Sequence, residues 1–332
     1  MAKRKIKINF VDFWDEFNKQ KNDFIDALSS RYDVELSDNP DYLFYSGFGF
    51  EHLKYSCVRI FFTGECITPD FNECDYAIAF DRMDFGDRYL RLPLYNIFQY
   101  KREYNSLLSR PNFTESDLVE KKGFCSFVVS NCFADDVRVI FYDKLSQYKP
   151  VASGGRFRNN IGGAVKDKKA FQNEYKFAIA FENTSYNGYC TEKLMEAFAA
   201  GTIPIYWGDP GVVADFNSNS FINAHDYKSF DEVVERVKQI DQDDELYLQI
   251  INENPLLSEN TDNGLEKFLF SIIEQDYHSA YRRPKSIPSK NNESFKLRHE
   301  FFETRIYKYY RKAKNQLNRF KTGTMLTNKR TK

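Results

Sequence analysis

Between Phe181 and Lys193 the sequence reads Phe-Glu-Asn-Thr-Ser-Tyr-Asn-Gly-Tyr-Cys-Thr-Glu-Lys, a polar stretch rich in groups that bind phosphates and hydroxyls. It joins an apolar run, Phe177 to Phe181, that reads as a strand to a run, Thr191 to Ala200, that reads as a helix. A loop from a strand end into a helix start gathers free backbone N–H groups and the positive end of the helix dipole, which favours an anion. Lys193 on the first turn adds a compact charge suited to a diphosphate. Glu192 can accept from ribose hydroxyls, Tyr189 can pack on a base or sugar, and Asn183 stands at the strand end. The same residues suit an ordinary helix start, with Thr191 as cap and Glu192 in the favourable first turn, so the loop alone leaves both readings open.

The elements that must position this loop alternate along the chain. Lys5 to Val11 reads as a strand and Asp12 to Arg31 as an amphipathic helix; apolar runs at Tyr42 to Ser46, Val58 to Thr63 and Tyr76 to Phe80 follow. Short runs of this kind suit parallel strands buried on both faces. Residues Tyr100 to Lys122 are polar, carry Pro111 and mark a domain junction. A second alternation then begins, with strands at Phe124 to Ser130, Phe177 to Phe181, Ile203 to Trp207 and Phe221 to Asn223. Its helices are Asp136 to Tyr148, Lys168 to Glu174, Thr191 to Ala200, Asp231 to Ile240 and Gly264 to Ser279. Gly201 is the expected left-handed residue after the helix ending at Ala200. Two successive α/β units place ligands at the carboxyl ends of the strands and in the cleft between domains.

With 332 residues, 22 Tyr and 32 Phe, the chain has the length for about two domains and the apolar mass for large cores. Its six cysteines have neither CxxC nor finger spacing and read as free thiols. After the basic start at Lys3, Arg4 and Lys5 the residues alternate in polarity instead of forming an apolar leader, and no window approaches a membrane span. The expected location is the cytoplasm. The total charge of −1 hides an asymmetry: residues 281–332 hold 16 Lys and Arg against 3 Glu, a net of +13, leaving −14 on residues 1–280.

The run from Phe177 to Gly208 resembles the signature of α-1,3/4-fucosyltransferases. There a strand ending in Phe-Glu-Asn is followed by a Tyr-x-Thr-Glu-Lys helix start and an Ala-Gly-x-x-Pro turn, here Ala200-Gly201-Thr202-Ile203-Pro204. The resemblance extends over most of residues 40–280 and is nearest to bacterial lipopolysaccharide α-1,3-fucosyltransferases. Phe61-Phe62-Thr63-Gly64-Glu65 resembles the segment whose acidic residue is the family's proposed catalytic base, and Val137-Arg138 resembles the element whose Arg contacts the donor diphosphate. Arg158 lies in a familiar-looking loop and is given a secondary role.

The resemblance implies a GT-B fold: two Rossmann-like α/β domains facing across a cleft. Residues 1–107 would form the acceptor domain, 108–281 the GDP-fucose domain, and 282–332 a basic aromatic helical tail. It also implies inverting transfer of L-fucose from GDP-β-L-fucose to the 3-OH of GlcNAc in an N-acetyllactosamine or lipid-linked O-antigen glycan. Glu65 would take the acceptor proton, and Arg138, Asn183, Tyr189, Glu192 and Lys193 would bind the donor. A transferase of another GDP-sugar and a non-catalytic sugar-nucleotide or glycan binder are the competing readings.

No obligatory metal or other cofactor is expected. Asp241-Gln242-Asp243 matches a D-x-D pattern but reads as a solvated acidic turn, and the four histidines have no ligand spacing. Residues 295–320 carry the charge and aromatics of a helix lying on an anionic membrane surface, here the inner face of the cytoplasmic membrane, with a merely soluble terminus as the competing reading. A nucleic-acid partner is not expected.

Overall fold

A computed structural model describes residues 3–98, 100–130, 134–258, 262–297 and 309–310. Two parallel sheets organise them. The first holds β1 (Lys5–Val11), β2 (Asp33–Leu36), β3 (Tyr42–Tyr45), β4 (Val58–Phe62), β5 (Tyr76–Ala79) and β6 (Tyr89–Arg91), in the order β2-β1-β3-β4-β5-β6. The second holds β7 (Gly123–Phe127), β8 (Val151–Ser153), β9 (Tyr175–Phe181), β10 (Ile203–Trp207) and β11 (Ile222–Asn223), in the order β11-β10-β9-β7-β8. In both sheets the strand order reverses beside the first strand, between β1 and β3 and between β7 and β9. Such switch points open a crevice at the carboxyl ends of the strands. This is the doubly wound, GT-B arrangement that the sequence implies.

The helices are α1 (Asp23–Ser29), α2 (Tyr100–Leu107), α3 (Glu115–Val119), α4 (Val137–Tyr148), α5 (Lys168–Asn173), α6 (Glu192–Ala199), α7 (Phe230–Asp241), α8 (Asp244–Asn252), α9 (Leu265–Ile273) and α10 (Tyr277–Ala280). The helix expected over Asp12 to Arg31 shrinks to α1. Asn22 caps α1 by accepting from the Phe24 and Ile25 amides, and Asp12 is left-handed at φ 60°. The apolar residues between them form an aromatic cluster instead, with Phe13 stacked on Phe17 at 4.0 Å. Gly201 stands at φ 65° after α6, as the capping argument requires.

Packing redraws the expected domain limits. Leu265, Phe268, Leu269, Ile272 and Ile273 of α9 join the first core with Phe24 and Leu28 of α1, although the chain has already passed through the second sheet. In exchange, Tyr104 and Leu107 of α2 pack with Leu194, Met195 and Phe198 of α6 in the second. Each domain thus borrows a helix from beyond its expected boundary, and burial of a helix face outweighs sequence proximity.

Residues past 281 begin on the first domain. Asp75, buried immediately before β5, accepts the backbone N–H groups of Arg282 and Arg283, and its carboxylate is paired with the Arg283 guanidinium. The chain is helical over 287–297, where Glu293 meets Arg59 at 2.9 Å and Lys296 pairs with Glu73. Most of the segment 295–320 expected to lie on a membrane falls outside the described residues. Among the described residues no helix is long and apolar enough to cross a membrane.

Candidate active site

A cleft of about 490 Å³ separates the two sheets at their carboxyl ends. The second domain contributes Val128, Val129 and Ser130 after β7, Asn183 after β9, Arg138 on α4, Lys168 on α5, Tyr189 and Thr191 in the loop before α6, and Glu192 and Lys193 on its first turn. The first contributes Gly64 and Glu65 after β4, Trp14 after β1, Phe48 after β3, and Leu94 and Phe98; Tyr100, at the start of α2, completes the lining. All six residues singled out in the sequence line this one space.

Glu182, fully buried after β9, organises the second domain's side of the cleft. Its Oε1 accepts the Thr191 amide at 2.7 Å, and its Oε2 accepts the Thr191 hydroxyl and the Lys193 ammonium, each at 2.8 Å. Thr191 therefore does not cap α6; its hydroxyl serves Glu182, and the Lys193 ammonium bonds it as well at 2.8 Å. Burial opposes the charge on Lys193, but Glu182 and Glu192 outweigh it and hold its pKa well above the ordinary lysine value. Burial likewise opposes ionisation of Glu192, and the charges of Lys193 and Lys168 hold its pKa below the ordinary value. The first turn of α6 is thus fully ionised at neutral pH. Glu182 lies in the quoted motif as the last residue before Asn183, but nothing in the spacing marks it as the hub.

Arg138 is buried and donates to the Asn183 side-chain oxygen at 2.9 Å, so each orients the other. Tyr189 is also buried, its ring edge-on to Phe80 of the first domain at 5.1 Å, which makes it wall more than an open stacking face. Arg158 pairs with Asp143 and stays out of the cleft.

Glu65 is open to the cleft, and its carboxylate has no hydrogen-bond partner among the described residues. The surrounding walls still desolvate it and push its pKa up, Lys193 opposes the shift, and Glu192 and Glu182 add to it. A raised carboxyl with free lone pairs is chemically a proton acceptor in waiting. Gly64 receives the Leu94 side chain, 3.1 Å from where a Cβ would stand.

The two halves are clamped beside the cleft. Arg82 and Arg91 of the first domain both bond the Asp215 carboxylate at 2.8 Å, and Arg82 reaches the buried Asp209 at 2.8 Å. Asp209 in turn accepts the Gly188 amide at 2.7 Å. Gly188, at φ 88°, lies so close to Phe80 that a Cβ would stand 2.6 Å from its carbonyl oxygen; only glycine lets the loop before α6 meet the end of β5 this way.

The D-x-D pattern is not a solvated turn. Asp241 is buried under Tyr148, Lys149 and Lys176, and Asp243 caps α8 by accepting the Leu246 amide. Among the described residues no three acidic, His or Cys side chains are grouped to hold a metal. The described cysteines, Cys57, Cys66, Cys74, Cys125 and Cys190, are free thiols.

Two family models match the chain. Residues 8–98 fit the N-terminal domain of α-(1,3)-fucosyltransferase FucT, and residues 118–252 fit the C-terminal part of glycosyltransferase family 10 (fucosyltransferase). The α-(1,3)-fucosyltransferase FucT of Helicobacter pylori is 40% identical over 79% of this chain and 62% of its own length. A putative fucosyltransferase of Acanthamoeba polyphaga mimivirus is 29% identical over 63% of this chain and 35% of its own. The chain thus spans less than two thirds of these curated relatives. A crystal structure of an α1,3-fucosyltransferase with GDP-fucose superposes with a TM-score of 0.70 at 34% identity, covering 83% of this chain and 92% of that one. The same fold at 11% identity recurs in Anabaena HepE in complex with UDP-glucose, with a TM-score of 0.50 over 81% of this chain and all of that one. The chain belongs to glycosyltransferase family 10, the fucosyltransferases.

Proposed function

We propose that the protein transfers L-fucose from GDP-β-L-fucose to the 3-OH of GlcNAc in an N-acetyllactosamine-type glycan, with inversion and with Glu65 as general base. The observation that carries this reading is that Glu65 of one domain shares a single cleft with Arg138, Asn183, Glu192 and Lys193 of the other. A base facing a diphosphate site across a cleft is what in-line displacement requires.

In the step, the acceptor oxygen attacks the anomeric carbon of fucose from the face opposite the diphosphate. The new C–O bond forms as the C1–oxygen bond to the β-phosphate breaks. The acceptor proton passes to Glu65, and the electron pair leaves with GDP, turning the β-linked donor into an α-linked product. Arg138 neutralises the growing charge by forked hydrogen bonding, its direction fixed by Asn183. Lys193 uses two of its three N–H donors on Glu182 and Thr191, which leaves one for a phosphate oxygen. Glu192, kept ionised by Lys193 and Lys168, accepts from the ribose hydroxyls. These cations make a metal unnecessary.

The deciding experiment incubates the chain with GDP-fucose and N-acetyllactosamine and determines GDP release and product linkage. An α-1,3-fucosylated product that forms equally well in EDTA supports the reading; GDP-fucose binding without turnover would make the chain a binder, and turnover only with another GDP-sugar would replace the donor.

A further inference from the structure

The two faces of the cleft differ in chemistry. The donor side is charged, whereas the first domain presents Trp14, Phe48, Leu94 and Phe98 around Glu65. Trp14 follows β1 and Phe48 follows β3, so the two rings sit at the switch point of the first sheet, where open α/β sheets bind ligands. Their centroids are 6.4 Å apart at 70°, an edge-to-face pair, and both rings line the one crevice. Phe48 is 52% exposed, so its ring has not been spent on either core.

Both rings are held in place. Trp14 packs edge-on to Phe17 at 5.1 Å and to Phe98 at 5.9 Å. The Phe48 amide donates to the Asp12 carbonyl at 3.0 Å. The Asp12 carboxylate accepts the Glu51 and His52 amides at 3.0 and 2.9 Å and lies 2.7 Å from the His52 ring, itself stacked on Tyr45 at 3.9 Å. One side chain thus ties the segment carrying Trp14 to the turn carrying Phe48. Asp12 and Phe98, either side of this platform in the chain, both hold positive φ, 60° and 56°, a cost that the surrounding bonds and rings sustain.

We infer that Trp14 and Phe48 form an acceptor subsite that stacks the apolar face of the sugar next to the accepting one. The inference rests on the fucosyl-transfer reading and adds to it which part of the acceptor is recognised. A pyranose of galacto configuration suits the subsite, because its axial 4-hydroxyl leaves a continuous C–H patch on the opposite face for an aromatic ring to cover. The subsite therefore selects acceptors of at least two sugars and places the GlcNAc hydroxyl at Glu65.

The test compares KM for N-acetyllactosamine and for methyl β-N-acetylglucosaminide in wild type, Trp14→Ala, Phe48→Ala and the conservative Phe48→Trp, with the KM for GDP-fucose measured alongside. The expected result is a wild-type preference for the disaccharide that each alanine variant reduces by roughly three- to tenfold. The monosaccharide and GDP-fucose values stay fixed, and Phe48→Trp retains the preference. Phe48 is a surface residue whose truncation leaves both cores intact, so this variant folds even if Trp14→Ala does not. A disaccharide preference untouched in Phe48→Ala, or absent from wild type, overturns the subsite. Failure of wild type to transfer fucose to either acceptor instead overturns the proposed function.

Discussion

The Lys193 ammonium lies 2.8 Å from the Glu182 carboxylate, eleven residues back along the chain, and through that contact the end of β9 sets the first turn of α6. Three donors, the Thr191 amide and hydroxyl and the Lys193 ammonium, converge on the two oxygens of Glu182, which water cannot reach. Removing one partner of a buried pair leaves the other uncompensated. Glu182→Ala should therefore cost about 3–5 kcal/mol of unfolding free energy. Urea unfolding at pH 7 measures it, and a cost within experimental scatter would show that the pair does not organise the loop.

The raised pKa of Glu65 has a sign that can be tested. A base must be ionised, so the rate falls as pH drops through the folded-state pKa, and the acid limb of kcat/KM should lie above the ordinary glutamate value. Burial is the largest cause of the shift, and Glu192 adds to it. Glu192→Gln should thus move the limb to lower pH as well as weaken GDP-fucose binding; a limb that stays put would separate Glu65 from the titration.

Arg82 and Arg91 both converge on Asp215, and Arg82 also holds Asp209, so the domain seam is electrostatic as well as apolar. Asp215→Ala leaves two guanidinium groups with one carboxylate between them. We expect a loss of about 2–3 kcal/mol and a lowered melting temperature. Calorimetry checks this, and an unchanged transition would mean that other contacts hold the halves together.

Burial opposes ionisation of Asp241, but hydrogen bonds from Lys149 and Tyr148 and the charge of Lys176 hold its pKa below the ordinary aspartate value. A depressed folded-state pKa adds stability that is present above the unfolded value, about 3.9, and lost as pH falls through the folded one. Asp241→Asn should be less stable than wild type at pH 7, with the gap closing in acid. Urea titrations across that range read the gap; a constant difference would remove Asp241 from the acid response.

The parallel strands were legible because β3, β4, β5, β9 and β10 are almost wholly buried and hence continuous in apolar character. The short or edge strands β2, β6 and β8 left no such run, and their pairing comes from neighbours rather than from their own composition. Residues 12–22 mimic a helix in pattern, yet the Phe13 and Phe17 rings pack on Phe10 of β1, and Phe17 also meets Phe98, far along the chain. For the same reason neither Trp14 nor Phe48 stands out in the sequence: a helix reading turns Trp14 inward, and Phe48 sits between Gly47 and Gly49 where no period speaks. The six residues on the cleft were found because strand ends and a helix start converge there and because their order resembles a family. The sequence placed Glu182 in that motif, but the contacts that make it the hub depend on tertiary geometry.

The central claim is that Glu65 takes the acceptor proton while the opposite domain holds GDP-fucose. Its most direct test is single-turnover transfer to N-acetyllactosamine by Glu65→Gln, with GDP-fucose affinity measured on the same preparation. The account predicts a loss of rate of roughly a hundredfold or more, as for removal of a general base, with donor affinity within about twofold of wild type. Transfer at an undiminished rate would contradict it and assign the base elsewhere in the cleft.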